Sequence, residues 1–60
     1  MAHKYRTDMV VLVGTRNGYP VYRSVYIENG HYYVTWNRKA VNVDDDIQNG
    51  SFHSKSAMRA

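Results

Sequence analysis

The stretch from Val21 to Trp36, VYRSVYIENGHYYVTW, decides the fold of this chain. Val, Tyr, Ile and Thr dominate it, and these residue types favour strands because they suit a pleated, half-buried surface. The dipeptide Asn29-Gly30 divides the stretch. Asn-Gly favours a two-residue type I′ turn, in which both residues take positive φ. The sequence therefore predicts a β-hairpin centred on this dipeptide.

A two-residue turn fixes which residues of the hairpin lie opposite each other. One face, the predicted core face, then carries the pairs Ile27–Tyr32, Val25–Val34 and Arg23–Trp36. The guanidinium of Arg23 is expected to lie over the Trp36 ring in a cation–π contact. The opposite face is polar apart from three tyrosines, and we name it the tyrosine face: Tyr22, Tyr26 and Tyr33.

A second Asn-Gly dipeptide, Asn17-Gly18, predicts another hairpin, whose first strand spans about Thr7 to Val13. With the same turn geometry, Val10 would meet Val25 and Leu12 would meet Arg23. Both Val10 and Leu12 would then extend the core face. A longer loop or a bulge between residues 14 and 18 is the alternative.

In the two-residue register, the first strand is apolar on both faces, because Met9, Val11 and Val13 share the tyrosine face. Strands of this kind occur where both faces of a sheet are covered. A chain of 60 residues without cysteine has a small core and no disulfide, and self-association is a common substitute. The sequence therefore predicts a homo-oligomer in which a second copy covers the tyrosine face.

The rest of the chain predicts small additions to this sheet. A fourth strand is expected at the sheet edge from Ala40 to Val43, and a short helix capped by Asp44–Asp46 is expected to end at Asn49-Gly50. Residues 51–60 predict a mobile or weakly helical C-terminal tail. The expected fold is mainly β: one domain over residues 1–50, an antiparallel meander of three to four strands forming an SH3-sized half-barrel or sheet.

Composition and residue spacing argue against several classes of protein. No apolar run approaches the roughly 20 residues that cross a membrane, and the first residues lack the features of a secretory signal. With no cysteine, this predicts a cytoplasmic protein without a membrane partner. His3, His31 and His53 have no nucleophile or orienting acid at an informative spacing in the sequence, and Asp44–Asp46 offers too few oxygens for a divalent cation. Neither enzymatic activity, a metal nor a cofactor is expected.

The candidate binding residues form two groups. Alternate turns of a meander project from the same end, so three bases should lie together in what we name the basic tip: Arg16, Arg38 and Lys39. The basic tip can bind phosphate or carboxylate groups, or can serve only to keep the sheet soluble. The tyrosine face can stack unpaired bases, or can be buried in a second core layer or an interface.

Three functions are compatible with these features. The small size, the lack of catalytic groups and the exposed strand edges favour a regulatory module that binds another protein, such as the host-directed inhibitors that viruses and phages encode. A net charge of +3, the basic tip and the tyrosine face favour the alternative, a nucleic-acid-binding module. A self-assembling structural protein is the second alternative.

Overall fold

The computed structural model describes residues 4–57, which form one antiparallel sheet of five strands and one short helix. In chain order the elements are β1 Lys4–Arg16, β2 Tyr19–Glu28, β3 His31–Trp36, β4 Lys39–Asn42, α1 Asp44–Asn49 and β5 His53–Ser54. The strands lie in the order β4-β3-β2-β1-β5. The first four therefore form the predicted meander, with β4 at one edge, and the mainly β fold is confirmed.

Both Asn-Gly turns have the predicted geometry. The φ angles are 53° and 81° at Asn17 and Gly18, and 53° and 79° at Asn29 and Gly30. The β3–β4 connection has the same form, with positive φ at Asn37 and Arg38, so β4 begins one residue earlier than predicted. All three hairpins thus turn through two residues in the left-handed region.

The β2–β3 hairpin keeps the predicted register, but its ladder is short. It consists of the pairs Glu28–His31, Ile27–Tyr32 and Tyr26–Tyr33. Beyond these pairs, β2 stays with β1 while β3 stays with β4. The predicted pairs Val25–Val34 and Arg23–Trp36 are therefore not ladder pairs, and the sheet opens between the two strands.

The β1–β2 hairpin departs from the predicted register because β1 contains an extra residue. Gly14 lies opposite Val21, as a two-residue turn requires, but Leu12 then lies opposite Tyr22. Val13 is the additional residue, so β1 contains a β-bulge there. The predicted pairs of Val10 with Val25 and of Leu12 with Arg23 are wrong: Val10 lies opposite Ser24, and Val11 opposite Arg23.

This shift exchanges the two faces of β1. The buried core contains Val11, Val25, Val34 and Val43, and Met9 and Val13 pack against it together with Tyr32, Ile47 and Phe52. Leu12, expected in the core, is 53% exposed. The prediction that Met9, Val11 and Val13 share the tyrosine face is wrong. The expectation of self-association, which depended on that apolar surface, therefore loses its support.

A second irregularity in β1 lies around Thr7, between the pairs of Arg6 and Val10 with β2. The Thr7 hydroxyl donates to the carbonyl of Val25 at 2.7 Å and accepts from the backbone N–H of Met9 at 3.1 Å. The side chain thus satisfies a β2 carbonyl that the interrupted ladder leaves open. This contact holds the bulged segment against the most buried part of β2.

The predicted helix is confirmed in α1, which ends at Gly50 with a φ of 77°. Its predicted cap differs, because Val43 occupies the N-cap position and makes no side-chain capping bond. The Asp44 carboxylate instead accepts hydrogen bonds from the backbone N–H of Tyr32 at 2.6 Å and from Nδ1 of His31 at 2.7 Å. Asp44 therefore ties the start of α1 to the start of β3.

The segment expected to be a tail contributes a strand that the sequence analysis did not predict. In β5, His53 lies opposite Val10 and Ser54 opposite Met9, and the backbone N–H of Lys55 donates to the carbonyl of Asp8 at 2.9 Å. The last three residues of the expected tail, 58–60, lie outside the described residues. The described part of the segment thus extends the sheet on the free side of β1.

Candidate functional site

The tyrosine face is the side of the sheet opposite the valine core. On it, Tyr26 and Tyr33 lie directly across the β2–β3 ladder, as predicted. Their ring centroids are 5.8 Å apart and the ring planes are inclined by 29°, which is a stacked arrangement. Both residues are half-buried, so neither is fully covered by the rest of the described chain. The two rings form an aromatic platform where β2 and β3 meet.

Two bases of β1 lie beside this platform. Arg6 is opposite Tyr26 and Lys4 is opposite Glu28, which places both bases on the tyrosine face. The Nζ atom of Lys4 is 4.8 Å from the centre of the Tyr26 ring, a cation–π contact. Both bases are exposed. These two bases were not predicted on this face because the first strand was expected to begin only at Thr7, although the alternation of Lys4, Tyr5 and Arg6 was the available signal.

The third tyrosine of the face contacts the unpredicted strand. The Tyr22 ring meets the His53 ring edge to face, with centroids 5.8 Å apart and planes at 77°. Tyr22 belongs to β2 and His53 to β5, so the contact crosses the intervening β1. Val10 of β1 pairs with His53 and is 8% exposed, which this crossing contact explains. The chain therefore covers part of the tyrosine face itself.

A groove of about 370 Å³ opens where the β2–β3 ladder stops. Its lining consists of three bases, two tyrosines, two hydroxyl side chains and one valine: Lys4, Arg6, Arg23, Tyr22, Tyr26, Ser24, Thr35 and Val25. The aromatic platform closes one end, because Tyr26 and Tyr33 form the last ladder pair. The groove is thus a polar recess in the sheet, with cationic and aromatic groups along it.

The basic tip is organised by Trp36. The guanidinium carbons of Arg16 and Arg23 each lie 5.5 Å from the centre of its ring, which includes the predicted Arg23 contact. Lys39 lies opposite Trp36 in the β3–β4 ladder, and Arg38 is in the adjoining turn. Arg16 therefore reaches the strand end that carries the other two bases. The pairing with Trp36 places Lys39 on the side of the sheet opposite the tyrosine face.

The acidic residue Asp44 has a distinct electrostatic environment. The Tyr32 backbone N–H, the largest influence, holds the pKa of the Asp44 carboxyl below its usual value of 3.8, and hydrogen bonds with His31 and Asn42 act in the same direction. Each of these hydrogen bonds favours the ionised carboxylate. Asp44 is thus a structural anion whose charge holds the start of α1 against the start of β3.

The described residues carry few other features with a chemical role. Among residues 4–57, no group of three or more His, Cys, Asp or Glu side chains could hold a metal ion. No helix in the same range is long and apolar enough to cross a membrane.

No protein-family model matches the chain, and neither the curated proteins nor the solved structures contain a significant match to it.

Proposed function

We propose that this chain is a non-enzymatic binding module and that its tyrosine face binds single-stranded nucleic acid. The observation that carries the proposal is the stacked pair Tyr26–Tyr33 with Lys4 over one ring and Arg6 beside it. Proteins that bind single strands combine aromatic rings, on which bases stack, with cations that follow the phosphates. The tyrosine face supplies both components within one strand spacing of each other.

Stacking is the main source of the expected affinity. A base stacked on an aromatic side chain contributes about 1–3 kcal/mol, and bases are open to such contacts only where they are unpaired. The tyrosine face should therefore bind single strands more tightly than duplexes. This preference distinguishes it from a surface that attracts nucleic acid by charge alone.

Charge supplies the second part of the affinity. Each phosphate neutralised on a single strand contributes about −0.7 to the slope of log affinity against log salt concentration. Lys4 and Arg6, both exposed on the tyrosine face, predict a slope of about −1.4. The basic tip lies apart from this arrangement, because Arg16 is held on Trp36 and Lys39 is on the other side of the sheet.

A protein partner is the second candidate, and β4 is the feature that favours it. All four residues of β4, Lys39–Asn42, are exposed, and β4 lies at the edge of the sheet. An exposed edge offers backbone hydrogen bonds to an extended segment of another protein. A regulatory module that acts by protein contact, including a host-directed inhibitor, would use this edge rather than the tyrosine face.

The test of the proposal is fluorescence anisotropy with a labelled single-stranded oligothymidylate and a duplex of equal length. Tyr33→Leu keeps apolar bulk but removes the ring, and should weaken single-strand binding about 5- to 150-fold. Tyr19→Leu is the matched control, because Tyr19 is 74% exposed near the first turn. Circular dichroism of both variants verifies that the sheet is retained.

The charge contribution is tested with a second matched pair. Lys4→Gln should reduce the steepness of the salt dependence by about 0.7, whereas Lys39→Gln should leave it unchanged. Equal changes of slope in the two lysine variants would assign the charge contribution to the whole surface rather than to the tyrosine face. Equal losses of affinity in Tyr33→Leu and Tyr19→Leu would mean that the tyrosine face is not the stacking site. Absence of single-strand binding at low salt would reject the proposal and leave the β4 edge as the candidate surface.

A further inference from the structure

A hydrogen-bonded pair is missing from the sheet beside the groove on the tyrosine face. In an antiparallel ladder, every second pair exchanges backbone hydrogen bonds. In the β2–β3 hairpin these are Glu28–His31 and Tyr26–Tyr33, with Ile27–Tyr32 between them. The next such pair would be Ser24–Thr35. The ladder stops before that pair. The backbone N–H and C=O groups of Ser24 and Thr35 that would face each other therefore border the groove, where a ligand can reach them.

The contents of the groove suit three features of a nucleotide, which are the edge of the base, the face of the base and the phosphate. Ser24 and Thr35 offer backbone donors and acceptors suited to the edge of a base. Tyr22 and Tyr26 offer rings beside the same recess, and Lys4 and Arg6 offer positive charge for a phosphate. Its volume of about 370 Å³ lies at the small end of the range of about 300–1,000 Å³ for ligand sites, as one nucleotide unit requires.

We infer that the groove between β2 and β3 seats one unpaired nucleotide of the bound strand, with the base edge on the backbone of Ser24 and Thr35. This inference rests on the proposed function and adds to it a defined position for one base. An extended peptide is a poorer occupant, because the pair Tyr26–Tyr33 closes one end of the groove. A peptide strand could insert between β2 and β3 only by separating that pair as well.

The first experiment follows the backbone amides of the ¹⁵N-labelled protein by NMR. A single-stranded oligothymidylate should shift the amide signals of Ser24 and Thr35, because the base forms hydrogen bonds there. An abasic strand of the same length supplies the phosphates without the bases and should leave these two signals unchanged. Equal shifts with both strands would mean that only phosphate is recognised, and would overturn the inference.

The second experiment fills the groove without changing charge. Thr35→Leu places a larger apolar side chain in the groove lining, and should weaken oligothymidylate binding about fivefold or more without altering the salt dependence. Thr15→Leu is the control, because Thr15 is an exposed β1 residue opposite Pro20 and outside the groove. Circular dichroism of both variants verifies folding before binding is compared.

The outcomes separate the inference from the proposed function. If Tyr33→Leu loses binding while Thr35→Leu binds as the wild type does, the tyrosine face binds nucleic acid and the groove inference fails. If thymidine monophosphate alone shifts Ser24 and Thr35 with the affinity of the oligonucleotide, the groove takes a free nucleotide and the inference fails. If no oligonucleotide binds at low salt, both fail.

Discussion

The two Asn-Gly hairpins share one turn geometry but differ in how far that turn determines the strands around it. In the β2–β3 hairpin, the register set by Asn29-Gly30 persists to the end of the ladder, which is only three pairs long. In the β1–β2 hairpin, the register set by Asn17-Gly18 persists to Gly14 and then slips at Val13, although the ladder is much longer. Turn chemistry therefore fixes the pairs beside the turn, and burial decides the rest.

The slip in β1 has a packing explanation. The run from Met9 to Val13 is apolar at every position, so either face could be turned to the core. With the bulge, Val11 is 2% exposed and Leu12 is 53% exposed; without it, Leu12 would take the core position. The smaller β-branched side chain lies among the buried valines Val25, Val34 and Val43, where close packing limits the volume available.

The largest expected effect on the free energy of unfolding comes from substitutions beside the bulge in β1. Val11→Ala should lower the free energy of unfolding by about 2 kcal/mol, because it removes buried apolar volume from the core. Leu12→Ala should change it by less than about 0.5 kcal/mol, because an exposed side chain loses little on truncation. Urea titration followed by circular dichroism measures both. The reverse order would mean that β1 lacks the bulge and has the strict two-residue register.

The next effect concerns the turns themselves. Gly18 and Gly30 have nearly equal φ values of 81° and 79°, so valine at either position should destabilise the domain by somewhat more than about 1 kcal/mol. The structural outcome should differ, because three ladder pairs resist a register change less than the longer β1–β2 ladder does. NMR contacts between Ile27 and Tyr32 should be lost in Gly30→Val and kept in Gly18→Val. Retention in both variants would show that the short ladder is fixed by its packing.

The smallest effect is a pH dependence that arises where α1 meets the first residues of β3, just after the Asn29-Gly30 turn. Hydrogen bonds, first from the Tyr32 N–H, lower the pKa of Asp44 in the folded chain, so the ionised form stabilises the fold. That contribution is complete above the unfolded value near 3.8 and is lost as the pH falls through the lower, folded value. Asp44→Asn should reduce stability at neutral pH and flatten its decline in acid.

Asp45→Asn is the control for this pH dependence, since Asp45 is exposed on the same helix. Its unfolding free energy should follow the wild-type pH profile. An unchanged acid profile in Asp44→Asn would mean that the carboxylate does not hold α1 against β3 in solution. The comparison requires only thermal or urea unfolding at a series of pH values.

The parts of the fold that the sequence predicts are those with local signals. Asn29-Gly30 predicts its turn and the contacts Ile27–Tyr32 and Tyr26–Tyr33 because the φ requirement and the period of two act over a few residues. A bulge was the alternative for residues 14–18, but the apolar run from Met9 to Val13 carries no signal that places it at Val13. The strand at His53–Ser54 is two residues long and depends on the free side of β1, which local sequence does not reveal.

In the candidate site, too, only the features with a local sequence signal are predictable. The proximity of Tyr26 and Tyr33 follows from the turn. The contact of Arg23 with Trp36 is also the predicted one, but it forms without the predicted ladder pair. The groove does not follow from the turn, because a regular alternation gives no indication that the β2–β3 ladder ends before Ser24–Thr35. Lys4 and Arg6 join the tyrosine face through a pairing that depends on the irregularity near Thr7. Long-range register, rather than residue type, is what the sequence leaves undetermined.

Trp36 gives the chain a built-in optical probe of one specific contact. It is the single tryptophan of the chain, and its ring lies so close to Gly14 that a Cβ atom there would be 3.3 Å from Cζ2. With the guanidinium groups of Arg16 and Arg23 on the same ring, the indole environment depends on how closely the first hairpin approaches β3. Its emission therefore reports the closure of the sheet at the basic tip, separately from events on the tyrosine face.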